Sequence, residues 1–217
     1  IKLKVGVPGD QQNLRVCSQR LRSGLLKGKL TLRADANGAW SLDQARDACR
    51  WMKPLHVAAL EQPLRKGDEA DLPMLRRDAE VPIMLDESLV DLPGAERLAK
   101  AGAADYWNLR ISKNGGVLQT LRLADLARER GIELMLGALV GESGILSAAA
   151  QAVLQLAPTF SFLENSYGSF LVSEDDYIGY LAQAEIANVV PVTLAAKLRR
   201  SQENIEGCRQ AAAPAAN

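Results

Sequence analysis

Short apolar runs alternate with amphipathic stretches along this chain. The runs at residues 2–7, 30–34, 57–61, 82–86, 106–111, 133–137 and 160–164 predict β-strands. Between them, residues 12–26, 42–52, 72–78, 93–101, 117–130 and 143–156 carry helical spacing. In the first of these Leu14, Val16, Cys17, Leu21 and Leu25 form one apolar side, and Ser41 is a good N-cap for the second. The residues at the strand ends are Lys4, Asp35, Glu61, Asp86, Arg110, Gly137 and Glu164. They recur roughly every 25 residues, the length of one strand, one helix and two short loops. Repeated units of this kind predict an α/β fold with a parallel sheet. Seven in succession favour a closed (β/α)8 TIM-type barrel over an open doubly wound sheet. No Gly-x-Gly-x-x-Gly follows the first strand, which argues against a dinucleotide fold.

In such barrels chemistry sits at the C-terminal strand ends. Lys4, Asp35, Glu61, Asp86, Arg110 and Glu164 are therefore expected around one mouth. Asp35, Glu61 and Asp86 each follow an apolar strand core. Three carboxylates gathered at one mouth repel one another unless a cation sits among them. An all-oxygen set with room for water suits Mg²⁺ or Mn²⁺ better than zinc. For a single strand-end Asp the plainer reading is a cap for the next helix. Lys2 and Lys4 are two apart and share one strand face. A partly buried amine beside cations has a lowered pKa, which suits a general base.

These residues lie in recognisable strings. Lys2-x-Lys4 is followed by Asp35-Ala36-Asn37-Gly38-Ala39-Trp40, Leu60-Glu61-Gln62-Pro63, Leu85-Asp86-Glu87-Ser88 and the segment 108–116, NLRISKNGG. Their order resembles the C-terminal barrel domain of the enolase superfamily. The likeness is strongest to its muconate-lactonizing-enzyme and mandelate-racemase-like members, among them dipeptide epimerases, o-succinylbenzoate synthase and muconate cycloisomerase. The resemblance implies that Asp35, Glu61 and Asp86 ligate Mg²⁺ (or Mn²⁺). It implies that Lys4 is the acid/base, with Lys2 as its helper, and that Asn37, Glu142 and Glu164 face the substrate. For Glu142 a plain charge at a helix N-terminus is an equal reading. The implied reaction is removal of a proton α to a carboxylate of a small acid. It would lead to isomerisation, cycloisomerisation, syn-elimination or epimerisation.

One position departs from the pattern. The family's second lysine, the first in N-x-K-x-x-K-x-G-G, is Arg110 here, and the later lysine is Lys113. Arginine does not give up its proton, so Arg110 can stabilise negative charge but is a poor base. Strand alternation predicts that Lys113 points away from Arg110's face. One-base chemistry on Lys4 survives this change. The alternative is a non-catalytic, metal-binding barrel remnant. A phosphate site at Gly115-Gly116 ranks below both, since glycines there serve a tight turn.

The family's capping domain and first barrel strand precede the Lys-x-Lys strand, and this sequence is expected to lack both. Residues 1–180 are then the barrel, strands two to eight of the family. Residues 181–217 are a divergent C-terminal segment with one helix at 194–204 and a frayed Ala-rich tail. Two unpaired sheet edges would favour a homo-oligomer. Among 217 residues, Lys plus Arg and Asp plus Glu are both 26. That balance argues against a nucleic-acid partner. No apolar run reaches the length of roughly 20 that a membrane span needs. Three scattered cysteines fit neither a zinc pattern nor a disulfide framework, and a cytoplasmic location is the expectation. His56 is expected at the stability end of the barrel. Trp40, Trp51 and Trp107 are expected to be core or loop anchors.

Overall fold

The computed structural model describes residues 1–139, 142, 144–157 and 159–164. The expected helix at 194–204, Cys208 and the whole 181–217 segment lie outside the described residues. Seven strands follow one another in space as they do in sequence. They are β1 (Lys2–Lys4), β2 (Leu32–Asp35), β3 (Val57–Glu61), β4 (Ile83–Leu85), β5 (Tyr106–Leu109), β6 (Glu133–Leu136) and β7 (Phe162–Leu163). Every neighbouring pair is parallel. The connecting helices are α1 (Asp10–Leu26), α2 (Leu42–Met52), α3 (Leu72–Asp78), α4 (Leu92–Ala101), α5 (Val117–Glu129) and α6 (Gly144–Leu156).

Local chemistry explains most boundaries. Ser41 and Gln44 form a reciprocal cap at the start of α2, each side chain bonding the other's backbone amide. Asp91 Oδ1 accepts from the Gly94 amide to open α4, and Gly102 closes it at φ 69. Several strands are shorter than the apolar runs suggest. β1 stops at Lys4, and Gly6 then turns the chain at φ 83. β5 stops at Leu109, where a run of turns begins.

The sheet has two apolar faces of different size. Leu32, Ala34, Leu60, Ile83, Leu85, Trp107 and Leu136 face the helices and build the main core. Trp107 is fully buried there, Trp40 is buried, and Trp51 packs against the same core. A fully buried leucine or isoleucine in this core, such as Leu32, Leu60 or Ile83, contributes about 1.5–3 kcal/mol through burial. The alternate positions Ala59, Met84 and Met135, with Tyr106 and Phe162, form a second, small cluster. Two residues beyond Ala59 and Met84 stand Glu61 and Asp86, and on β2 the buried Arg33 is followed two residues on by Asp35. The inner face therefore has an apolar floor and an ionic mouth.

The sheet curls strongly. Lys2 Nζ on β1 reaches Glu164 Oε2, just past β7, at 2.7 Å. Helices wrap the outside of this parallel sheet, which has seven strands among the described residues, the architecture of a partial (β/α) barrel. His56 is exposed at φ 56 and lies at the N-terminal end of β3, remote from the mouth. Among the described residues no helix is long and apolar enough to cross a membrane.

Candidate active site

Asp35 ends β2, Glu61 ends β3 and Asp86 follows β4, so three adjacent strand ends present three almost fully buried carboxylates. Asp35 pairs in register with Lys4 on one side and Glu61 on the other. Burial first, and the neighbouring Asp35 charge second, push the Glu61 carboxyl up to about 7. Lys2 opposes that rise but does not cancel it.

The expected face-sharing of Lys2 and Lys4 is observed. Lys2 Nζ lies 3.2 Å from Asp35 Oδ2, 3.1 Å from Glu61 Oε2 and 2.7 Å from Glu164 Oε2. Its pKa runs opposite to the expectation of a lowered value. Burial alone would lower it, but the charges of Glu61, Glu164 and Asp35 together raise it. Lys2 is thus a firmly protonated counter-ion. Lys4 is more open, with 59% of its side chain exposed, and its Nζ donates to Asp35 Oδ2 and Asn37 Oδ1, both at 2.6 Å. Asn37 sits in the left-handed region at φ 45, and its Nδ2 donates to Glu87 Oε1 at 3.0 Å.

Arg110 and Lys113 share one oxygen. Arg110 Nη2 is 2.6 Å and Lys113 Nζ 2.7 Å from Asp86 Oδ1. This corrects the expectation that Lys113 points away. The alternation rule ends with β5 at Leu109, and the turn that follows swings Lys113 back beneath the mouth. Its ammonium also donates to the carbonyls of Asp86 (2.7 Å) and Asn108 (2.8 Å). Burial brings Lys113 down to about 8, against the pull of Asp86. Gly115 and Gly116, at φ 82 and 96, form the turn into α5. Glu142 Oε1 accepts from Ser112 Oγ at 2.7 Å, which ties the loop after β6 to the loop after β5.

Four further residues support this site and carried no assigned role in the sequence reading. Arg33, two before Asp35, is buried; its Nη2 meets Glu164 Oε1 at 2.5 Å and its guanidinium lies 4.8 Å from the Phe162 ring centroid. The signal was present, since Arg33 and Asp35 share a face just as Lys2 and Lys4 do. Asn108 Nδ2 donates to Glu61 Oε1 at 2.8 Å. Gln62 Oε1 accepts from the amides of Asp86 (3.0 Å) and Ser88 (3.2 Å), fixing the loop that carries the third carboxylate. Gly137 marks a strand end without a side chain because Asn108 occupies the space. A Cβ there would lie 2.3 Å from Asn108 Oδ1.

Three buried carboxylates on adjacent strand ends are hard oxygen donors, and their chemistry fits Mg²⁺ or Mn²⁺. Their oxygens here face protein cations. Among the described residues no three His, Cys, Asp or Glu side chains converge closely enough to hold an ion as they stand.

Glu61 makes stability depend on pH. Its folded pKa lies above the ordinary 4.5, so the folded state binds more protons than the unfolded state between about 4.5 and 7. Its contribution is fully present below that window and is lost as pH rises through about 7. In chelator, the Tm of wild type should therefore fall across this window, relative to that of Glu61→Gln. Parallel profiles for the two proteins would refute the assignment.

A profile of the enolase C-terminal domain-like family matches residues 1–191. The chain is 33% identical over 156 residues to a hydrophobic dipeptide epimerase of a Flavobacteria bacterium, covering 70% of this chain and 43% of that protein. It is 33% identical over 175 residues to muconate cycloisomerase 1 of Pseudomonas putida, covering 80% of this chain and 46% of that one. The crystal structure of muconate cycloisomerase from Pseudomonas fluorescens superposes with a TM-score of 0.73 at 32% identity, over 80% of this chain and 47% of its own. The chain thus spans less than half the length of each of these relatives. The parallel strand order, the motifs at the strand ends and the profile match agree: the chain belongs to the enolase C-terminal domain-like family.

Proposed function

We propose that this chain carries the proton-abstracting machinery of a divalent-metal-assisted enzyme acting α to a carboxylate of a small acid. Asp35, Glu61 and Asp86 would hold Mg²⁺ or Mn²⁺. When bound, the ion supplies Lewis-acid stabilisation of the negative charge that develops on the substrate carboxylate. The observation that carries this reading is the row itself. Three buried carboxylates are flanked at the Asp35 end by the open amine of Lys4 and at the Asp86 end by Arg110.

Lys4 Nζ takes the α-proton and can return it on the same face. Lys2 stays protonated and holds Asp35, Glu61 and Glu164 in place. Arg110 stabilises negative charge at the far end and accepts no proton. Asn37 positions the Lys4 amine, and Glu142 and Glu164 border the space left for the substrate. The relatives are epimerases and cycloisomerases. Epimerisation needs a base on each face of the carbon, and where the family pattern has its second lysine this chain has Arg110, a poor base. The reading therefore favours cycloisomerisation or syn-elimination.

Proton NMR in D₂O tests it with a panel of dipeptides, N-acyl amino acids and unsaturated diacids. For the dipeptides and N-acyl amino acids the expected outcome is Mg²⁺-dependent deuterium uptake at the α-carbon without loss of chirality, and for the unsaturated diacids it is deuterium delivered to the α-carbon as the carboxylate adds across the double bond. A folded sample that exchanges none of these acids, with or without Mg²⁺, would sink the proposal. Deuterium uptake with full epimerisation would instead show that a second base operates.

A further inference from the structure

We infer that Arg110 is a resident counter-cation for Asp86, competing directly with a divalent ion for the third carboxylate and weakening metal binding in the free chain. The inference rests on the proposed metal role of Asp35, Glu61 and Asp86.

Two protein cations meet at Asp86 Oδ1, and they are held differently. Lys113 has each of its three hydrogens directed at an acceptor, two of them main-chain carbonyls. Its place is set by the backbone, and it serves the turn as much as the carboxylate. The main chain of Arg110 is held by Asn114: its amide donates to Asn114 Oδ1 at 2.8 Å and its carbonyl accepts from the Asn114 amide at 2.9 Å. Its side chain is 13% exposed, and Asp86 is its ion-pair partner among the described residues. Its Nε is buried and has no acceptor among them. The guanidinium is thus committed to Asp86 through one nitrogen and carries an unused donor.

A divalent ion approaching Asp86 meets this fixed positive charge within a poorly solvated mouth, where charges interact more strongly than in water. A lysine in the same place could lose its proton as the ion arrived. Arginine keeps its charge at any working pH, so the repulsion is not relieved by deprotonation. The mouth already balances itself in part. Lys2, Lys4, Arg33, Arg110 and Lys113 face Asp35, Glu61, Asp86 and Glu164. Of these cations, Arg110 is the one that sits on a proposed ligand where the family pattern has a lysine.

Calorimetric titration of the full chain with MgCl₂ at constant ionic strength tests this on wild type, R110M and R110Q. Both variants should bind Mg²⁺ about ten-fold more tightly than wild type. Thermal unfolding establishes that each is folded, and R110Q, which retains a donor beside Asp86, supplies the answer if R110M does not fold. Equal or weaker Mg²⁺ binding by the folded variants overturns the inference and leaves the metal reading standing. No Mg²⁺ binding by wild type or either variant overturns the metal reading and the inference with it.

Discussion

Lys4→Ala should reduce metal-dependent deuterium exchange by about 10²–10⁴-fold, the range that a positioned general base supplies. The expectation follows from where the amine stands. Its Nζ is 2.6 Å from Asp35 Oδ2 and 2.6 Å from Asn37 Oδ1, at the open end of the carboxylate row. Because most of the Lys4 side chain is exposed, its removal opens no cavity. The substitution does remove one of the two cations on the buried Asp35, but Lys2 remains at 3.2 Å, so the stability loss should be about 1 kcal/mol. Lost exchange out of proportion to that small Tm change would assign the effect to chemistry. Lys2→Ala is the contrasting control: it strips the shared partner from three carboxylates and should lower stability and exchange together. Full exchange by folded Lys4→Ala would remove Lys4 from the mechanism.

The second large effect is expected just past the end of β6. Gly137→Ala should destabilise the chain by about 1–3 kcal/mol, the usual cost of overpacking. The new Cβ would lie 2.3 Å from Asn108 Oδ1 and 3.0 Å from both Cγ and Nδ2 of that residue. Asn108 cannot move aside without giving up its 2.8 Å bond to Glu61 Oε1. The damage should therefore reach the site as well as the fold. A double-mutant cycle with Asn108→Ala separates the two, since removing the amide makes room for the new methyl. Urea unfolding should show the pair losing less stability than the sum of the single changes. Strict additivity would show that the clash is absorbed elsewhere.

These predictions draw unequally on sequence and structure. The strand–helix rhythm was readable because each element announces itself locally. Ser41 and Gln44 mark the start of α2, Gly102 marks the end of α4, and the apolar runs mark the strands. The residues ending those runs then placed Asp35, Glu61 and Asp86 on one mouth, and spacing by two put Lys2 and Lys4 on one face. Gly137 stood at a strand end in the sequence with nothing to explain it. The space its side chain would fill belongs to Asn108, a residue from the neighbouring strand.

What the sequence determined by itself is the order of strand–helix units and the acidic and basic residues at their ends, because period and caps act over a few residues. The tertiary structure alone decided how those residues partner. Arg33 reaches Glu164 because the sheet curls until β2 and β7 share one interior. Lys113 reaches Asp86 because a turn after β5 overrides strand alternation. The Lys2 pKa is raised because carboxylates from the ends of three other strands, Asp35, Glu61 and Glu164, close around it. Charge interactions depend on distance through space, and sheet curvature and turn direction set those distances.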